Sequence, residues 1–194
     1  MPVITISRQK GSLGSAVASA VAARLGYRIT WRELINEAAR RAGAPVMALA
    51  VIDELGLLGL SSSPKSYRSY LDAVATVMQD MAKEGNVVIV GRAGQVILAD
   101  FPGTLHVYVV APLDVRVQRI SDSLKIPLSA ARAQLEASDH FRHSYLRRFY
   151  DVEWNDPNLY DLILNTSHMT VEAAANLICQ AVYQNTGILN DRPI

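Results

Sequence analysis

The opening 26 residues constrain this chain more than any other stretch. Val3-Ile4-Thr5-Ile6-Ser7 is a β-branched apolar run. It enters the turn Arg8-Gln9-Lys10-Gly11-Ser12-Leu13-Gly14-Ser15, and a small-residue helix follows until Leu25-Gly26. Strand, Gly/Ser loop and helix in this order make a phosphate-binding loop, because the first N–H groups of a helix and a glycine backbone both favour an anion. Gly11 and Gly14 let the backbone approach a ligand closely, and Ser12 and Ser15 add hydroxyls. Set against G-x-x-x-x-G-K-[ST], one register puts Ser15 at the lysine and Ala16 at the hydroxyl. The register one residue earlier puts Gly14 at the lysine and Ser15 at the magnesium-binding hydroxyl. Neither supplies a lysine, and Arg8 and Lys10 are the cations inside the loop. The same residues also suit a plain turn between a strand and a helix.

Downstream, strand and helix patterns alternate. Residues 87–90 (Val-Val-Ile-Val) are a continuous apolar run, as expected of a strand buried on both faces; residues 105–110 read as another buried strand and residues 160–164 as a last one. Helical patterns cover residues 13–25, 31–42, 46–55, 67–83, 93–98, 113–121, 128–149 and 171–183, with Thr170 as N-cap of the last. The stretch from Gly56 through Ser61-Ser62-Ser63-Pro64 reads as a loop, and residues 185–194 as a loosely ordered tail. The apolar positions between Leu71 and Met81 suit either packing on a sheet or a homodimer interface. This alternation predicts an α/β domain with a mainly parallel sheet. Ligands in such sheets bind past the carboxyl ends of the strands, where Arg8, Arg92 and Asn165 all fall.

Composition narrows the function classes. The chain has 194 residues, is half hydrophobic and carries a formal net charge of +1, so no global field argues for a nucleic-acid partner. No apolar run reaches membrane-spanning length, and no signal-peptide pattern precedes the first strand. The single cysteine, Cys179, sits in an apolar helical pattern and reads as a buried hydrophobe. These features lead to the expectation of a cytoplasmic protein with no membrane or nucleic-acid role.

The remaining chemistry is cationic. Arg92 follows a buried strand and Gly91, where a phosphate would be a fitting partner for a planar, always ionised guanidinium. Arg116 and Arg119 lie three apart on one helix and share a face. Asp139, Arg142 and His143 stand at i, i+3 and i+4, so Asp139 is placed to orient Arg142. The four histidines show no metal-ligand spacing, and His106, inside a strand, reads as structural. Trp31 suits either stacking on a base or core packing. Asp53-Glu54 reads as a cap for the loop that follows.

Taken in order, several segments resemble the cytidylate kinase-like family, relatives of the nucleoside monophosphate kinases. They are Ile4-Thr5-Ile6-Ser7-Arg8-Gln9 with Gly11-Ser12 and Gly14, the segment Gly85–Arg92, and Ala111-Pro112-Leu113 with Arg116 and Arg119. Asp139-His140-Phe141-Arg142 with Tyr145, and the segment Tyr160–Thr166, complete the set. The resemblance covers residues 3–184. It implies one P-loop kinase-like domain over residues 1–194: a three-layer α/β/α core, helical acceptor-binding segments between residues 31 and 80, and a mobile lid over residues 121–151. It implies transfer of the ATP γ-phosphoryl group to a nucleoside monophosphate, CMP- or dCMP-like, or a related small acceptor, with Mg²⁺. Arg8, Lys10, Gly11, Ser12, Gly14, Ser15, Arg119 and Asn165 would bind the nucleotide, Ser15 the metal, and Arg92, Arg116, Arg142 and Asp139 would serve the transfer. A nucleotide-binding regulator with little turnover is the alternative. Two positions depart from the family pattern: Ser15 replaces a basic residue after Gly14, and Trp31 stands where relatives carry an aspartate.

Overall fold

The computed structural model describes residues 2–42 and 64–186. Five parallel strands form one sheet: β1 (Val3–Arg8), β2 (Arg28–Thr30), β3 (Val87–Val90), β4 (Thr104–Val110) and β5 (Leu162–Asn165). Their order is β2-β3-β1-β4-β5, so β1 is central, paired through Val3↔Val87 on one side and Val3↔Thr104 on the other. Parallel neighbours need crossovers. The helices between strands supply them: α1 (Gly14–Leu25), α2 (Arg32–Ala42), α3 (Pro64–Glu84), α4 (Gly94–Ile97), α5 (Leu113–Leu124) and α6 (Leu128–Tyr150); α7 (Val171–Thr186) follows the last strand.

Side chains alternate across the strands and build a core on each face. Ile4, Ile6, Val88, Val90, Val107 and Val109 pack against Val17 and Val21 of α1 and Ile178, Cys179 and Val182 of α7. The opposite residues Val3, Val87 and Ile89 meet Leu34 and Ala38 of α2 and Val74, Val77, Met78 and Ala82 of α3. The apolar face at residues 71–81 therefore packs on the sheet within one chain. Cys179 is buried, as expected, and burial pushes its thiol pKa up. His106 is structural: its Nδ1 shares a 2.7 Å hydrogen bond with Thr5 Oγ1, and its backbone N–H donates to Asp161 at 2.7 Å.

Element boundaries moved at several ends. Gly26, at φ 67°, closes α1 and donates to the Ala22 carbonyl, the left-handed cap that glycine favours. Leu13 is the N-cap of α1 rather than its first turn. The last strand begins at Leu162 because Pro157–Leu159 forms a 3₁₀ turn capped by Asp156. The last helix continues to Thr186, into the expected tail. The expected helix at residues 46–55, Asp53-Glu54, and the loop through residues 56–63 lie outside the described residues.

Candidate phosphate-binding site

At the carboxyl end of β1 the chain turns through left-handed Gly11 (φ 80°) and Leu13 (φ 63°) into α1. The turn is closed by Ser12 N–H donating to the Gln9 carbonyl at 3.2 Å, and Gln9 N–H donating to Val109 on β4 at 3.1 Å. The start of α1 carries no side-chain cap and no acidic residue in its first turn. Its leading N–H groups thus lack the partners that capped helices provide. The Ser12 hydroxyl is fully buried and has no hydrogen-bond partner among the described residues. Gly14 is required by crowding: a Cβ there would lie 2.4 Å from Arg8 Cβ.

Three consecutive carbonyls of the loop are taken from below. The Lys10 carbonyl accepts from Arg116 Nη1 at 3.4 Å, the Gly11 carbonyl from Arg119 Nη1 at 3.3 Å, and the Ser12 carbonyl from Thr166 Oγ1 at 2.8 Å. Arg116 is 4% exposed and also donates to the Ala111 carbonyl at 3.0 Å. Its charge is paired with Asp139 of α6 at 2.9 Å. Arg119 donates further to Thr166, at 2.7 Å to its carbonyl and 3.1 Å to its hydroxyl. These two arginines hold the loop, and their shared helical face looks onto its backbone.

Arg8 and Arg92 are arranged differently. The Arg8 guanidinium crosses to the end of β3, where a Cβ on Gly91 would meet its Nη1 at 2.5 Å. Burial lowers the Arg92 pKa to about 10, with Tyr145 opposing that shift and the nearby Arg8 charge adding to it. Gly91, Arg92 and Ala93 all adopt positive φ, at 77°, 58° and 57°. A left-handed arginine is unfavourable on its own and persists where surrounding structure over-determines it. Two like charges drawn together at strand ends, one of them buried, form a site that an anion would neutralise.

An aromatic floor, unread from the sequence, lies nearby. Trp154 is 3% exposed and donates from Nε1 to Ser7 Oγ at 2.8 Å, while Tyr160 donates to the Trp154 carbonyl at 2.7 Å. Tyr108 stacks on Tyr160 with centroids 4.7 Å apart. Burial pushes the Tyr160 hydroxyl up to about 12, so it remains a neutral donor. Arg142 lies over the Trp154 ring, 5.8 Å from its centroid, and hydrogen-bonds Ser138. Asp139 makes its ion pair with Arg116, so its carboxylate serves the helix below the loop.

The other expected residues divide. Lys10 Nζ donates to Gln134 Oε1 of α6 at 3.3 Å, joining the loop to that helix. Asn165 is exposed and accepts from Ser167 N–H at 3.0 Å, while its neighbour Thr166 reaches the loop. Ser15 sits partly exposed in the first turn of α1. Trp31, after β2, is 39% exposed and is not core. Among the described residues no group of three or more His, Cys, Asp or Glu could hold a metal ion, and no helix is long and apolar enough to cross a membrane. Trp154 is isolated in sequence and carries no signal there, whereas Thr166 is legible only as the end of the segment Tyr160–Thr166, and the pairing of β5 with β4 carries it to the loop.

This sheet order, loop and helix arrangement is that of the P-loop kinases. A gluconokinase structure from Sinorhizobium meliloti superposes with a TM-score of 0.58 at 16% identity, covering 97% of each chain. The structure of an uncharacterized protein from Eubacterium ventriosum gives a TM-score of 0.75 at 20% identity, covering 94% of this chain and 98% of that one. Within that fold, the model of the cytidylate kinase-like family matches residues 3–168, and the chain belongs to this family. A cytidylate kinase from Methanocella arvoryzae is 26% identical over 183 residues, covering 93% of this chain and 96% of that protein. A uronate isomerase from Corynebacterium glutamicum is 35% identical over 104 residues, which are 52% of this chain and 19% of that much longer protein.

Proposed function

We propose that this protein is an ATP-dependent, Mg²⁺-assisted phosphotransferase acting on a nucleoside monophosphate of CMP or dCMP type, or on a related small acceptor, in the cytoplasm. The observation that carries this reading is the convergence of Arg8 and Arg92 beside the uncapped start of α1. Phosphoryl transfer asks mainly for positioning and for charge stabilisation. The backbone of Gly11, Ser12, Gly14 and Ser15 would bind donor phosphates, with Lys10 at the rim, and Arg8 and Arg92 would face the transferred group. Arg142 would join them from α6, while Arg116, Arg119 and Asp139 would hold the loop. Asn165 would border the donor nucleotide.

The residues fit a nucleotide through the buried Ser12 hydroxyl and the paired arginines. Mg²⁺ would bind chiefly through nucleotide phosphates and water with the Ser15 hydroxyl, since Mg²⁺ seldom needs an all-protein cage. It supplies charge neutralisation between the phosphates. Residues 31–80 would bind the acceptor, with Trp31 at its edge, and residues 121–151 would close as a lid that limits wasteful hydrolysis. A second reading, a nucleotide-binding regulator with little turnover, is favoured by the commitment of Arg116 and Arg119 to loop carbonyls while Ser15 occupies the lysine position.

The test is incubation of purified protein with ATP, Mg²⁺ and a panel of monophosphates, following ADP formation and product mass. Acceptor-dependent ADP with CMP or dCMP supports transfer. Tight ATP binding with no acceptor-dependent ADP supports the regulator. Absence of ATP binding in a calorimetric titration sinks both.

A further inference from the structure

We propose that Thr166, together with Arg119, is a positioning residue for nucleotide binding, setting the direction of the loop's N–H groups without touching the nucleotide. The inference rests on the reading of the loop as the ATP site. A trans peptide points its C=O and the next residue's N–H to opposite sides. With the Lys10 carbonyl held by Arg116, the Gly11 N–H faces away from α5. With the Ser12 carbonyl held by Thr166 at 2.8 Å, the Leu13 N–H faces away from β5. The intervening Ser12 N–H is committed to the Gln9 carbonyl. The loop therefore presents alternate N–H groups, Gly11 and Leu13, on the side opposite its clamp.

Thr166 makes the shortest of the three clamping bonds and is itself fixed. It is 1% exposed, its N–H donates to the Val110 carbonyl at 2.9 Å, and its carbonyl accepts from Arg119 at 2.7 Å. The hydroxyl accepts from Arg119 at 3.1 Å and donates to the Ser12 carbonyl, with the Val110 carbonyl a longer second acceptor at 3.3 Å, so a single oxygen just past β5 joins β4, α5 and the loop. Losing that oxygen would free the Ser12–Leu13 peptide to turn, and a turned peptide would aim a carbonyl at the phosphates.

The test is calorimetric titration of ATP with Mg²⁺ into the wild type, Thr166→Val and Thr166→Ser. The valine variant keeps the shape and lacks the hydroxyl; the serine variant keeps the hydroxyl. Expected is about 10-fold weaker ATP binding for valine, the scale of one good hydrogen bond, with recovery to within about twofold for serine. In the transfer assay KM for ATP would rise while KM for the acceptor stays unchanged. If the wild type and Thr166→Val bind ATP equally, this inference is wrong and the nucleotide reading stands. If the wild type binds no ATP, the nucleotide reading falls and takes the inference with it. Should the valine variant not fold, ATP titration of the wild type followed by amide NMR decides. Downfield shifts at Gly11 and Leu13 support the clamp, and their absence overturns it.

Discussion

Arg116 and Arg119 lie beneath the glycine loop among backbone carbonyls and a carboxylate, whereas Arg8 and Arg92 crowd each other at the ends of β1 and β3. The first pair has its donors matched within the fold, as buried cations generally must. The second pair brings like charges together, and the backbone bends into left-handed conformations to do so. Arginines that hold the loop and arginines that lie beside a like charge are told apart by their neighbours, not by their spacing in sequence.

The largest expected effect comes from the second pair. Arg92→Ala should lower turnover by about 10²–10³-fold, the scale for removing one preorganised donor to developing charge, with a melting temperature no lower than wild type. Unchanged turnover would remove Arg92 from the site and dissolve the contrast. Next, Gly14→Ala forces a Cβ to within 2.4 Å of Arg8 Cβ, where neither atom is the free end of a side chain. It should cost about 1–3 kcal/mol by overpacking, read by denaturant unfolding, and weaken ATP binding.

Asp139→Asn tests the first pair. Removing the countercharge of a nearly buried arginine should cost about 1–2 kcal/mol, below the figure for fully buried pairs because Asp139 keeps some solvent contact. A melting curve matching wild type would show that the carbonyls alone satisfy Arg116.

The smallest effect is a pH dependence away from both pairs. Burial depresses the His106 pKa below 6.5, so the folded state holds this ring neutral. Its contribution is complete above the unfolded value and is lost as pH falls below 6.5 through the depressed folded value. Thermal melts between pH 7 and pH 5 should therefore slope less in His106→Asn than in wild type.

Much of the core was legible. Residues 87–90 are apolar without interruption and residues 105–110 are broken only by His106, and runs of that kind are strands covered on both sides. The loop was legible through Gly11 and Gly14, whose placement follows from positive φ in one case and crowding in the other. β2, only three residues long, is too short for a periodic signal. The division of labour among the arginines was not legible at all. Helical spacing puts Arg116 and Arg119 on one face, but what that face meets depends on Thr166, 47 residues beyond Arg119. Asp139 likewise stands three residues from Arg142 and pairs with Arg116 on another helix.

The left-handed turn at Gly91-Arg92-Ala93 has an evolutionary consequence. Arg92 burdens the fold twice, through a backbone conformation that suits glycine and through a guanidinium drawn out of water. Arg92→Gly should relieve both, raising the melting temperature while abolishing transfer. A library of variants screened for solubility alone would discard Arg92 early, and one screened for phosphate capture would keep it. Selection for durability and selection for chemistry thus pull this single codon in opposite directions.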